Sequence, residues 1–341
     1  PGHAAGEGGW GLSYGVSKSA IHRIAGILAI ELADKNVQCF NVDPGFTATD
    51  ALLVSEITMN VPREGQSRDL IRGYMGASEE LVGVRRAEFT IKVELAGSGA
   101  AGTAPAWGKL LRACACAETI SAGNRVEYTP ITTSLESLAI NFNNDGVKYV
   151  ARGCMGSAKI IMNAYERPMF EFTFKGFDVA ATVASPTTPN FTAWQRPLVV
   201  SDANSAGFKL GCTYSAGALS GGTALIGRGF TMDIGNNVQH MQLLNGEQID
   251  ITGRESTGTG IVELLTTDEV QWRTDMNTNT LSNVGFSHGT TTGNKVVVFM
   301  TNVQRLNNQI QDYQGRALTS FDMRLLPQAS AGNDEFKIVA L

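Results

Sequence analysis

The chain has 341 residues, enough for two domains of ordinary size, each able to bury its own core. Charged residues make up only 17%, and the net charge of -5 is spread without any lysine or arginine cluster, so an electrostatic grip on nucleic-acid phosphates is not expected. With 38 glycines, and with Thr, Ser and Asn between short apolar runs, the composition leans to a turn-rich β protein.

From Gly11 to Leu32 the apolar positions Ile21, Ile24, Leu28 and Leu32 recur at helical spacing. Val37 to Val42 then reads as a buried strand, ended by Asp43-Pro44-Gly45. This opening stretch has an α/β style. Beyond Ala51 the period becomes two: Phe89, Ile91, Val93 and Leu95 alternate with Glu88, Thr90, Lys92 and Glu94, which gives a strand one wet and one dry face. The alternation returns at 138–142, 170–175, 248–252 and 321–325. Turn residues at Asn144-Asp145-Gly146 and Thr292-Gly293-Asn294 predict hairpins.

A weak internal repeat aligns Thr90 to Leu95 with Thr259 to Leu264. A helix is predicted after each strand. In the first copy it runs from Pro105 to Glu118, with Trp107, Leu110, Leu111 and Cys114 on one face; in the second it spans about Thr267 to Asn277, with Val270, Trp272 and Met276. Each copy continues into a hairpin (138–150; 284–299) and a closing strand (170–175; 319–325). The expected fold is therefore mainly β, as two tandem sandwich or barrel domains, each with a flanking short helix, after an N-terminal α/β-style segment. The expected boundaries are 1–50, 51–181, 182–222 as linker and connecting strands, and 223–341.

Candidate chemistry is sparse. Cys39, Cys114, Cys116, Cys154 and Cys212 are an odd count without a CxxC pattern, and none of the four histidines lies near them, so buried reduced thiols are expected and no metal site. His240 and His288 have no carboxylate or nucleophile at a telling spacing, and read as surface or satisfied core residues. Gly97 to Gly102 precedes a helix as a phosphate loop would, but no Lys-Ser or Lys-Thr follows, and a flexible connection is expected instead. Phe170, Phe172 and Phe174 read as a core face, although a carbohydrate-binding β-sandwich would carry the same stripe. The N-terminus has no basic region followed by an apolar one, and no apolar run approaches the roughly 20 residues that span a bilayer. Neither signal-peptide secretion nor membrane attachment is expected.

Ala51 to Asn60, Ser67 to Gly76, Glu94 to Gly99, Pro105 to Ala113, Arg125 to Pro130, and the closing Leu325-Leu326-Pro327 and Ala331 to Glu335 together resemble the major tail tube protein of long, non-contractile tailed bacteriophages. The resemblance covers residues 51–341. It implies tail-tube-type β domains packed as rings, trimeric in members with two tandem domains, whose strands join into one barrel around a DNA channel. The partners it implies are copies of the same chain, a tape measure protein and tail terminator or tip proteins, with DNA passing through unbound and the subunit made in the host cytoplasm. The long stretch 61–83, carrying Arg68, Asp69, Leu70, Arg72, Tyr74 and Met75, corresponds to a family loop that contacts adjacent subunits, so these six are the expected interface residues.

Residues 1–50 resemble a different family, the short-chain dehydrogenases. Tyr14 and Lys18 have its Tyr-x-x-x-Lys spacing, and Asn41 to Gly45 with Thr49 looks like its following strand and loop. An NAD(P)-dependent oxidoreductase is the alternative this implies, with Tyr14 as proton donor and Lys18 lowering its pKa. The Gly-rich turn that cradles the pyrophosphate is absent, so no catalytic residue, cofactor or metal is expected.

Overall fold

A computed structural model of the chain describes residues 37–38, 51–68, 70–184 and 189–341. The expected helix 11–32, the Asp43-Pro44-Gly45 loop, and Tyr14, Lys18, Cys39, Thr49 and Asp69 lie outside the described residues. Within them the chain is mainly β. The order begins β1 (Val37–Gln38), β2 (Val54–Asn60), β3 (Arg63–Gln66), β4 (Leu81–Glu94), α1 (Gly108–Arg112), β5 (Cys116–Ser121), β6 (Arg125–Pro130), β7 (Ser137–Asn144), β8 (Val147–Asn163) and β9 (Met169–Val183). It continues with β10 (Ser205–Leu210), β11 (Thr213–Ser215), β12 (Ala218–Ser220), β13 (Thr223–Asp233), β14 (Asn236–Leu243), β15 (Gly246–Arg254), β16 (Thr257–Glu263) and α2 (Thr266–Asn277). Then come β17 (Ser282–His288), β18 (Val296–Tyr313), β19 (Arg316–Leu325) and β20 (Phe336–Ala340).

Eight strands form one antiparallel sheet in the order β2, β4, β9, β8, β13, β16, β19, β18. Strict alternation gives this sheet a dry face and a polar face. On β4, for example, Ala87, Phe89, Ile91 and Val93 are buried, while Glu88, Thr90, Lys92 and Glu94 point the other way. Over the first four strands the dry face packs with Phe170, Phe172 and Phe174, all buried as a core face. Trp107 stands between Phe170 and Tyr128, with ring centroids 5.0 and 5.4 Å apart, and its indole N–H donates to the Ala96 carbonyl at 2.7 Å. That indole joins the large sheet to the β5–β6 hairpin behind it. The terminal strand β20 pairs with β6 on one side and with β18 on the other, so the end of the chain ties both halves together.

The last four strands of the sheet, with β10 and β17, close into a six-stranded barrel, since β10 pairs with β13 and β17, and β17 with β18. Its interior is aromatic: Phe230 lies 4.8 Å from Phe286 and 5.9 Å from Phe208, and Phe321 packs edge-on against Trp272 of α2 at 4.8 Å. Gly260 makes room for this packing. A Cβ there would meet the Phe321 ring at 2.6 Å. The stretch 182–222 is thus more than a connection, because it supplies the barrel strand β10.

Several local expectations need correction. The first helix is only Gly108–Arg112 rather than Pro105 to Glu118, because Ala115 adopts a left-handed backbone (φ 56°) and β5 starts at Cys116. Its apolar face is as expected, with Trp107, Leu110, Leu111 and Cys114 all buried. In α2, Trp272 is buried and Met276 packs against the core, but Val270 is 67% exposed. Two residues turn about 200° around a helix, so Val270 and Trp272 cannot share a face. The strand at Phe89 begins at Leu81, and 61–83 is no simple loop: β3 pairs with the start of β4 as a ribbon.

Candidate functional site

Two hairpin arms leave the eight-stranded sheet, each inserted between the first and second strands of one half. The first is the β3–β4 ribbon with its tip. Gly65 pairs with Val82 and Gln66 with Leu81, and beyond them Arg68 bridges to Glu79 at 2.7 Å, pinning the base of the tip. Arg72 donates to the Tyr74 hydroxyl at 3.2 Å, with its guanidinium 5.7 Å from that ring. Of the expected interface residues, Leu70, Tyr74 and Met75 are exposed; so is Ile71, which the expected set omitted. Apolar groups on a projecting arm, with Leu81 and Val82 also exposed below them, are costly to leave in water.

The second arm is the β14–β15 hairpin, of which only the strand at 248–252 was read from sequence. Its tip carries Leu243 and Leu244, the latter 99% exposed. The signal that could have found it is Asn245-Gly246, a turn pair in which Asn245 takes φ 66°. This arm is docked within the chain. Asn236 donates to the carbonyls of Cys114 and Gly156, Lys175 donates to the Val238 carbonyl at 2.8 Å, and His240 packs edge-on against Phe177.

The polar face of the large sheet mixes both signs, with Glu56, Glu88, Glu94, Glu171, Asp233, Glu263 and Asp322 beside Arg86, Lys92, Lys159, Lys175, Arg316 and Arg324. Lys92 pairs with Glu56 at 2.8 Å and lies 3.8 Å from Glu171, one charge row across three strands. These hydrogen bonds and Coulomb attractions, Glu56 first, raise the Lys92 pKa.

The residues considered for chemistry have structural partners. His288 is buried, 3.1 Å from the Leu198 carbonyl and 3.0 Å from the Ser205 hydroxyl, and burial holds its pKa below the ordinary value. His240 is bonded to Glu247 at 2.7 Å. Cys114, Cys116, Cys154 and Cys212 are free buried thiols; burial pushes Cys116 and Cys154 up to about 12. Among the described residues no group of His, Cys, Asp and Glu could hold a metal ion. The Gly97–Gly102 segment is not a flexible connection. Gly97 N–H donates to the Asn294 side chain at 3.0 Å and Gly99 N–H to the Gly293 carbonyl at 2.8 Å, so these donors are already taken. Both expected turns close hairpins: Asn144-Asp145-Gly146 joins β7 to β8, with Asp145 at φ 44° and Gly146 at φ 83°, and Thr292-Gly293-Asn294 lies in the loop that joins β17 to β18 and is bonded to the Gly97–Gly99 segment.

Comparison with known families identifies one match: the model for "Phage tail tube protein" covers residues 14–335. The chain belongs to the phage tail tube protein family. The match starts well before Ala51, where the sequence reading drew the border, and takes in both Tyr14 and Lys18. The dehydrogenase resemblance of residues 1–50 gains no support from it. No curated protein matches the chain. As a tail tube protein the chain is a structural component of a phage tail, and none of its described helices is long and apolar enough to cross a membrane.

Proposed function

We propose that this tail tube protein polymerises into stacked rings that form the tube of a long, non-contractile phage tail, through which DNA passes into the host. The observation that carries this reading is the eight-stranded sheet with one dry and one polar face, in a chain matched by the tail tube family over residues 14–335. A sheet of this kind, repeated around an axis, presents its polar face to a water-filled lumen and its dry face to the subunit cores. The pairing of bases with carboxylates on the polar face suits a conduit for DNA, because Arg86, Lys92, Arg316 and Arg324 are bridged to acidic partners and an unpaired base would add an attractive phosphate contact and slow passage.

The two halves of the sheet have the same strand plan, which supports two tandem domains and a trimeric ring of pseudo-sixfold shape. The first arm, with Arg68, Leu70, Ile71, Arg72, Tyr74 and Met75, contacts a neighbouring subunit. A tape measure protein inside the tube and a terminator or tip protein at its ends complete the assembly. The chain acts by assembly rather than catalysis.

Concentrating the purified chain and imaging it by negative-stain electron microscopy tests the reading. Hollow rods of uniform width are expected. A chain that stays monomeric at high concentration, or forms only amorphous aggregate, contradicts it.

A further inference from the structure

Each half of the eight-stranded sheet is followed, after its second strand, by a helix with a buried tryptophan: Trp107 at the start of α1 and Trp272 within α2. The two are held differently. Trp107 donates its indole N–H to the Ala96 carbonyl, and Leu110 and Leu111 are buried beside it in the same short helix. The indole N–H of Trp272 is buried and has no acceptor among the described residues. Of the described α2 side chains Trp272 alone is buried, with Met276 partly so.

Little else holds α2 in place. Thr266, Thr274 and Asn277 are weak helix formers, and Leu265 at the N-cap makes no side-chain bond to the first turn. Leu265 and Val270 are 68% and 67% exposed. What fastens the helix is one buried arginine of β18. Arg305 bridges to Asp275 at 2.9 Å, and its guanidinium lies 4.4 Å from the centre of the Trp272 ring, whose edge meets Phe321. The Arg305 side chain is only 1% exposed, yet its Nε and Nη1 have no hydrogen-bond partner among the described residues. Two donors of the guanidinium and one of the indole are therefore unanswered at this single contact. A buried donor without an acceptor is costly, a charged one more so, and the cost vanishes as soon as water reaches it.

We infer that α2 is a lid on the barrel, closed over Phe321 with Arg305 as its latch, and that it opens as a unit while the strands beneath it stay folded. The closed position gains the burial of Trp272 and the Arg305–Asp275 bridge, whereas the open one hydrates all three unanswered donors. Opposed terms of this kind leave a small gap between two positions. Opening also changes the surface. Closed, α2 presents Asp268, Glu269 and Asp275 against Arg273 alone; open, the same place bares Arg305 and Trp272. The motion belongs to the free chain and does not depend on polymerisation.

Hydrogen–deuterium exchange of the full chain, followed by mass spectrometry, measures the opening. Residues 266–277 should exchange about tenfold faster than α1 and β18, as an element that opens locally does. Asp275→Asn leaves Arg305 buried without a carboxylate and should speed exchange in α2 by about tenfold, with β17 unchanged. Arg305→Met combined with Asp275→Asn removes the guanidinium together with its unanswered donors, and should slow α2 below its rate in the unaltered chain. The two variants thus move the same helix in opposite directions, which loss of a simple contact does not do. If Asp275→Asn does not fold, Gln271→Ala loosens the same carboxylate from an exposed position, its amide donating to Asp275 at 2.7 Å. That variant should speed α2 by about threefold. An unchanged rate in Asp275→Asn or Gln271→Ala, a double variant that exchanges as fast as the unaltered chain, or β17 accelerating together with α2 would overturn the lid.

Discussion

His288 shows how a single buried side chain sets an acid limit on the fold. It is held neutral, with Nε2 donating to the Leu198 carbonyl and Nδ1 accepting from the Ser205 hydroxyl, and burial depresses its pKa. Because the folded value lies below the unfolded one, near 6.5, the unfolded chain takes up the proton first as pH falls. The contribution is complete above about pH 6.5 and is lost as pH drops through the folded value. Melting temperatures measured across this range should fall more steeply for the unaltered chain than for His288→Gln, which cannot titrate; parallel curves would contradict the assignment. Gly97 sets a limit of a different kind. A Cβ there would collide with the Gly293 carbonyl and lie 2.7 Å from the Asn294 Cα, both backbone atoms. Gly97→Ala should therefore destabilise the fold by about 1–3 kcal/mol, the usual range for overpacking, measured by denaturant unfolding. An unchanged midpoint would mean that the contact is looser than it stands here.

At the level of elements, the two arms have opposite energetic roles. The β14–β15 arm is bound into the chain by Asn236, Lys175 and the His240–Phe177 contact, and its base is held by Arg254, which bridges to Glu335 at 3.1 Å and donates to the Ile131 carbonyl. In the tip of the first arm Arg68 bridges to Glu79 and Arg72 bonds to Tyr74, both within the arm, and its apolar residues face water. Removing Arg68 to Met75 should leave the melting temperature within a few degrees of the unaltered value and abolish rod formation in negative stain. Normal rods from that deletion would sink the interface role of the arm. The length of 61–83 was legible as unusual in the sequence, since compact domains seldom hold so long a connection. That it is a ribbon was not, because the partner of Gly65 and Gln66 is the outer end of β4, whose Leu81 and Val82 break the wet and dry alternation that marks the rest of the strand.

For the whole molecule, the last strand is decisive. β20 lies between β6 and β18, with Phe336, Ile338 and Val339 fully buried. At roughly 1.5–3 kcal/mol for each large apolar side chain taken from water, those three contribute on the order of 5–9 kcal/mol, comparable to the net stability of a domain. Truncation before Phe336 should therefore abolish cooperative unfolding, followed by circular dichroism, rather than merely lower the melting temperature. A truncated chain that still melts cooperatively would show that the halves fold without this tie.

What the sequence by itself determined is what depends on near neighbours. The period of two marked the strands, the stripe of Phe170, Phe172 and Phe174 marked a buried face, and Asn144-Asp145-Gly146 marked a turn, because side-chain alternation and left-handed turn positions are properties of a few consecutive residues. The family was legible too, although its reach back to residue 14 was not. Only the tertiary structure decided which strands meet. The β8–β13 joint, the closure of the barrel by β10 and the placing of β20 between β6 and β18 all join residues far apart in the chain. An alternating strand is competent to pair along either edge, so its partner is chosen by the packing of the cores it bridges and not by its own residues.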